Sequence, residues 1–481
     1  MQNRTTSEST LGWALSEDHP SGVGQARAHY ELLYQAPAQQ GSEASFDYLE
    51  QCLEQAGKLP CDLPACESGL IEWMAQRHEI VGRQYLDYLQ EREAGAPRRY
   101  FSSRSHALYF LRGVAPTKLV DGAWLYGALS QWWDDRYRGL IRIYLEELGE
   151  GLPADNHVVM YRRLLAANDC EQLDALDDAH YVQGAIQLSL ARSASHYLPE
   201  IIGFNLGYEQ LPLHLLITSH ELKELGIDHY YFQVHVTVDN AGSGHARKAL
   251  EAVTRLKPAM GDDKNYYQRI RRGYLLNELG KGTVEVIDSF DLEAEMARIM
   301  AQKAVHGRHM HSNRCKVAGR TINQWLSCVN DIPRFLNELE RHGWFKRNCN
   351  PEQSRFWNLL SQGGDMFGVF SGYERQVIHD WIWGDALPRK ARSLGPSEGK
   401  HGQSIIGSMS AASSGAIDAG LPTDAAGDFA AEMRKMEERL VQASDRRELM
   451  AELVRMLDPS VHHTPPGLLA TRMFSRLLRA A

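Results

Sequence analysis

The stretch YFQVHVTVDNAGSGHARKAL, residues 231–250, gathers His235, Asp239 and His245 within eleven positions. Imidazole and carboxylate donors together suit iron, manganese or zinc, and no cysteine lies near to suggest a soft-metal or iron–sulfur site. On an α-helix, His235 and Asp239 differ by about 40° and share a face. An unbroken helix would turn His245 about 120° away from Asp239. The intervening NAGSG is unsuited to a helix interior, and Gly242 and Gly244 tolerate positive φ. If three of these residues loop out, His245 returns to within about 20° of His235, two turns along. One interrupted helix would then aim imidazole, carboxylate and imidazole at a single point.

A helical protein building such a site needs facing helices to supply more carboxylates and at least one further imidazole. Two upstream stretches offer them. YLEELGEGLPADNHVVMYRRLL carries Glu147 and His157, with Gly149, Gly151 and Pro153 bending the chain between them. YLPEIIGFNLGYEQLPLHLL carries Glu209, with Glu200 as a competitor. Taken singly, each has a blander reading: Glu147 as a solvated neighbour of Glu146 and Glu150, Glu209 as a helix cap or an arginine's partner, and a histidine as a hydrogen-bonded core residue. Together, Glu147, His157, Glu209, His235, Asp239 and His245 make a complement for two ferrous ions with positions open for dioxygen; manganese is the alternative metal.

The elements that must position these residues read as helices. SFDYLEQCLEQA, ESGLIEWMAQRHEIVGRQYLDYLQEREA and GAWLYGALSQWWDDRYRGLIRIYLEEL repeat apolar residues at three- and four-residue intervals, as do SRFWNLLSQ and RQVIHDWIW. The best strand candidates are GTVEVIDSF (282–290) and YFQVHVTV; the second reads as helix because only then do His235 and Asp239 share a face. The segment 386–427 changes to Gly, Ser, Ala and Pro and reads as a linker. A charged amphipathic helix follows within 428–481, with Met433, Met436, Leu440 and Val441 to dock on the body or on a partner.

Other features carry less. HGRHMH supplies His306, His309 and His311 without an obvious carboxylate. GGDMFGVFSGYERQVIHDWI lacks the lysine of a phosphate loop and reads as a turn, then a helix with Ser371 as N-cap and Glu374 completing a capping box. WWDD (132–135) reads as core on one side and solvent on the other. A net charge of −9 with scattered Lys and Arg argues against a nucleic-acid surface. No apolar run is long enough for a membrane span. The start lacks a secretory layout, and seven cysteines without a CxxC argue against zinc fingers and a disulfide framework, so reduced thiols in the cytoplasm are expected.

GIDHYYFQVHVTVDNAGSGHARKAL, with EELGEG…NH and GFNLGYE, resembles the haem-oxygenase-like di-iron oxidases, also called iron-containing redox enzymes, over roughly residues 100 to 310. The resemblance implies an all-α, seven-helix haem-oxygenase-like bundle that binds no haem, holds two irons and activates dioxygen. It assigns Glu147 and His157 to the first core helix, Glu209 to the next, and His235, Asp239 and His245 to the third. This sequence has three extra residues before His245. Some relatives add a carboxylate earlier on the first helix, for which Asp121 in KLVDGAW is the candidate. The implied layout is an N-terminal helical extension (1–100), the di-iron domain (101–320), a C-terminal helical subdomain (321–385), the linker and the final helix. The implied reaction is oxidation of a small organic substrate, amine or amino-acid-derived, by N-oxygenation or oxidative C–C cleavage. Electrons come from an external donor or from the substrate, and a homodimer is expected. The alternatives are a non-catalytic helical scaffold or a metal-free oxidase of the same fold.

Overall fold

The structure, a computed structural model, describes residues 25–35, 42–238, 244–259, 263–387 and 430–480. It is 70% helical, and among the described residues strand is confined to the antiparallel pair Lys316–Val317 and Arg320–Thr321. The all-α expectation holds.

Three helices lead in: α1 (Ala26–Gln35), α2 (Ser42–Ala56) and α3 (Leu70–Glu93). Then come α4 (Arg104–Gly113) and α5 (Ala115–Lys118), a 3-10 helix over Ala123–Gln131, α6 (Arg138–Glu147), α7 (His157–Ala166), α8 (Val182–Arg192) and α9 (Ala194–Tyr208). They are followed by α10 (Leu213–Glu224), α11 (Tyr230–Val238), α12 (His245–Arg255) and α13 (Asp263–Leu275). The chain continues through α14 (Thr283–Asp288), α15 (Leu292–Gly307), α16 (Ile322–Leu326), α17 (Ile332–Arg341), α18 (Arg355–Leu360) and α19 (Gly372–Trp383). Last are α20 (Ala430–Gln442), α21 (Arg446–Met456) and α22 (Pro465–Arg479).

Two large apolar cores organise these helices. The first joins α6, α9, α12 and α13 with α2, and also takes in Met436, Leu453 and Phe474 from α20, α21 and α22. The second joins α4, α7 and α11 with α14, α15 and α16 to α19. Residues 325–382 thus share apolar contacts with Phe110, Tyr161 and Phe232.

Both strand-like stretches are helical. In α11, Tyr231 and Phe232 are buried in the second core, and that burial outweighs the few tenths of a kcal/mol that each β-branched residue costs a helix. In α14, Val286 and Ile287 are buried and the His106 ring meets the Ile287 carbonyl at 2.8 Å. The capping box expected at Ser371 and Glu374 is present at the start of α19. Trp132 packs on the first core while Trp133 is exposed. Met433, Met436 and Leu440 face that core too, so α20 docks on the chain's own body, with Val441 turned to solvent. From residue 388, the stretch read as a linker lies outside the described residues.

The tightest helix crossing is α9 on α13. A Cβ at Gly203 would sit 1.9 Å from the Ile270 carbonyl oxygen, and one at Gly273 would sit 2.1 Å from that of Glu200. The obstruction on each side is backbone, which cannot rotate away. Gly203→Ala is therefore expected to lower the unfolding free energy by roughly 1–3 kcal/mol, the usual cost of overpacking, read from the urea midpoint of the full chain.

Candidate metal centre

The two cores meet at a cluster of acidic and imidazole side chains. Glu147 ends α6, Glu209 follows directly on α9, and His245 opens α12; all three helices belong to the first core. His157 opens α7 and His235 sits on α11, both helices of the second core. Asp121 lies in the turn after α5, where Gly122 adopts φ 80°. A Cβ there would press to 3.0 Å on the Cβ of Glu147, so the glycine lets this turn lie against α6.

The donors fall into two groups. Asp121, Glu147, His157 and His235 form one; Glu147, Glu209 and His245 form the other, and within each group the donor atoms all lie within 4.8 Å of one another. None of these side chains' residues is more than 6% exposed. Glu147 belongs to both groups because its oxygens face opposite ways. Oε2 is 2.5 Å from His157 Nδ1, and Oε1 is 3.2 Å from His245 Nδ1. Glu209 Oε2 also meets His245 Nδ1, at 3.1 Å, and Asp121 Oδ2 meets His235 Nε2 at 3.2 Å.

The surrounding hydrogen bonds decide which ring nitrogens point inward. His235 Nδ1 lies 2.7 Å from the Tyr231 carbonyl, which only accepts, so Nδ1 carries a proton and Nε2 is the nitrogen that faces Asp121. His245 Nε2 lies 2.9 Å from a Glu146 oxygen, which likewise accepts, leaving Nδ1 aimed at Glu147 and Glu209. Lys248 anchors Glu146 from the other side. His157 Nδ1 and Glu147 Oε2 are buried and close, yet neither makes a well-formed hydrogen bond. Lone pairs that face each other in this way are satisfied by a cation, either a proton or a metal ion. The donor set fits two oxygen- and nitrogen-preferring metal ions.

The charges of the cluster offset one another. Burial alone would drive the His157 imidazolium to lose its proton, but Glu147 and Asp121 beside it hold its pKa well above the ordinary value. Burial would raise the carboxyls of Asp121 and Glu147; Lys118 and the histidines around Asp121, and His157 and His245 around Glu147, bring both below the usual range. Asp121 is further held by the hydroxyls of Tyr208 at 2.9 Å and Tyr231 at 2.6 Å, and Lys118 Nζ donates to the Tyr208 hydroxyl at 2.9 Å.

Of the residues expected from sequence, the structure brings together Glu147, His157, Glu209, His235 and His245, and places Asp121 among them. Asp239 lies outside the described residues. Glu200 points elsewhere, paired with Arg269 at 2.6 Å. His306, His309 and His311 belong to neither donor group. The single interrupted helix needs correction. Gly244 is extended (φ −79°, ψ −161°) and His245 starts a new helix. α11 rests on α7 and α10, whereas α12 rests on α6 and α9, so His245 reaches the site through different neighbours. Sequence reasoning missed Lys118, Tyr208, Tyr231 and the supporting role of Glu146. The only local signal was the Glu146–Glu147 pair.

Residues 108–278 match the model of the iron-containing redox enzyme family. That span contains every donor named above, so the motif resemblance is borne out at the level of this family. The matching segment is all-α, in keeping with a haem-oxygenase-like fold. Comparison with curated proteins and with solved structures finds no match. Among the described residues, no helix is long and apolar enough to cross a membrane.

Proposed function

We propose that the chain is a dioxygen-dependent, non-haem di-iron oxidase or oxygenase acting on a small organic molecule. The observation that carries this reading is the shared position of Glu147, one carboxylate whose two oxygens face two separate donor groups. Glu147, His157 and His235 would hold one ion, with Asp121 alongside and Asp239 as the further ligand that the sequence motif suggests. Glu147, Glu209 and His245 would hold the other. When bound, two ferrous ions supply the electrons that reduce dioxygen.

The chain's own residues do the rest. The carboxylates offset the charge of the ions. Glu146 keeps the Nε2 proton of His245, and the Tyr231 carbonyl keeps the Nδ1 proton of His235, so each ring presents its other nitrogen inward. Tyr208 and Tyr231 stop Asp121 from rotating, and Lys118 behind Tyr208 adds positive charge at that edge. Amines and amino-acid-derived compounds are the first substrates to screen, by N-oxygenation or oxidative C–C cleavage, with an external reductant or the substrate itself as electron source. Anaerobic loading with ferrous iron followed by desalting should leave about two irons per chain, and the loaded protein should consume dioxygen faster than the metal-free protein. A folded chain that takes up no iron would sink the proposal and favour a metal-free oxidase or a helical scaffold.

A further inference from the structure

The ten-residue step from Glu147 to His157 is made by a tight bend rather than a continuous helix. Gly149, Glu150 and Gly151 all have positive φ, at 58°, 48° and 84°. Asn156 straps this bend. Its Oδ1 accepts from the Val159 backbone N–H at 3.0 Å, capping α7, and its Nδ2 donates to the Leu148 carbonyl at 3.3 Å. Leu148 adjoins Glu147, and Asn156 adjoins His157. One buried amide thus joins the two chain positions that present two of the donors.

The same Nδ2 is 3.2 Å from Nδ1 of His462, which is 1% exposed in the turn between α21 and α22. A backbone N–H on one side and a carbonyl on the other leave the Asn156 amide a single sense, so His462 must accept through Nδ1 and keep its proton on Nε2. Burial favours that neutral ring, with His463 and Arg162 acting the same way. The turn holding His462 is itself anchored: the Tyr144 hydroxyl donates to the Leu457 carbonyl at 2.5 Å, and Arg192 pairs with Asp458. α22 backs the bend directly. A Cβ on Gly151 would meet the Leu468 carbonyl oxygen at 2.3 Å, and Glu150 pairs with Arg479.

We infer that His462 is a positioning residue for the metal centre, fixing through Asn156 the relative placement of Glu147 and His157, so that the C-terminal helices complete a site whose donors all lie elsewhere in the chain. This rests on the two-ion reading above. Removing the acceptor at Nδ1 leaves Asn156 Nδ2 with Leu148 alone, and the amide is then free to drift together with the start of α7. An uncertain strap costs metal affinity, because donors that are not held in place must be ordered when the ion binds.

The test uses the full-length protein, titrated anaerobically with Co(II) and followed by its visible absorption, alongside ferrous iron counted after desalting. His462→Asn keeps an acceptor where Nδ1 stands, His462→Leu removes it at similar bulk, and His462→Gln moves it outward by one carbon. Wild type and His462→Asn should bind two ions with matching affinities and spectra. His462→Leu and His462→Gln should bind the ion held by His157 about tenfold more weakly, with an altered Co(II) spectrum. Should either of these two variants fold and titrate like wild type, or His462→Asn fall as far as they do, the inference is overturned. A wild-type chain that binds neither metal overturns the two-ion reading itself, and this inference with it.

Discussion

Glu147→Gln abolishes stable loading of both ions, whereas His245→Ala removes one and leaves the other. That contrast is the largest effect expected of any single change in this chain. The glutamine keeps the shape of the side chain but replaces one oxygen by an amide nitrogen, which presents hydrogens where a lone pair stood. Whichever way the amide turns, one of the two groups gains a donor aimed at its cation, and both lose a negative charge. His245 touches only the group with Glu209, so its loss spares the cluster of Asp121, His157 and His235. Affinity at both sites of Glu147→Gln should fall by at least about 100-fold, the top of the range for residues that merely support a ligand. Iron counted per chain after anaerobic loading reads the result directly; one firmly held ion in Glu147→Gln would show that Glu147 does not serve both groups.

Metal affinity should also rise with pH, by close to tenfold per unit for each proton that an ion displaces, in the range where His157 is still protonated. The sign follows from the shifts. His157 lies above its ordinary value, while Asp121 and Glu147 lie below theirs. At neutral pH the metal-free cluster therefore holds a proton on His157 against ionised carboxylates, and an incoming ion must expel it. The stability of the metal-free protein has the matching form. The His157 contribution is complete below the ordinary imidazole range and is lost as pH climbs through the raised value. The carboxylate contributions are present above the ordinary carboxyl range and are lost on acidification through the lowered values. Calorimetric titration in two buffers of different ionisation heat counts the protons released. A metal affinity that is flat from pH 6 to pH 9, with no release, would show that His157 is not displaced.

The clustering of Glu147, His157, Glu209, His235 and His245 was readable because their residue types are rare together and the chain marks where it must turn. NAGSG signals a break before His245, and the two glycines and a proline between Glu147 and His157 signal another. The form of the first break was not readable. Whether a helix bulges or restarts depends on which neighbours its next turn packs against, and α12 finds α6 and α9 rather than those of α11. Asp121 had little local signal of its own, since its place depends on the left-handed Gly122 fitting beneath Glu147. Lys118, Tyr208 and Tyr231 converge from three elements and leave no periodic trace. The bond between Asn156 and His462 spans 306 positions and is of the same kind. Helix content, by contrast, was legible almost everywhere, and the two stretches richest in β-branched residues became helical once buried.

Glu147, Glu209 and His245 stand on helices of one apolar core; His157 and His235 stand on helices of the other. An ion held by Glu147, His157 and His235 would coordinate across that boundary and act as a rivet between the two halves, whereas one held by Glu147, Glu209 and His245 would stay within the first. Iron affinity at that first site would thereby also be cohesion between the two halves.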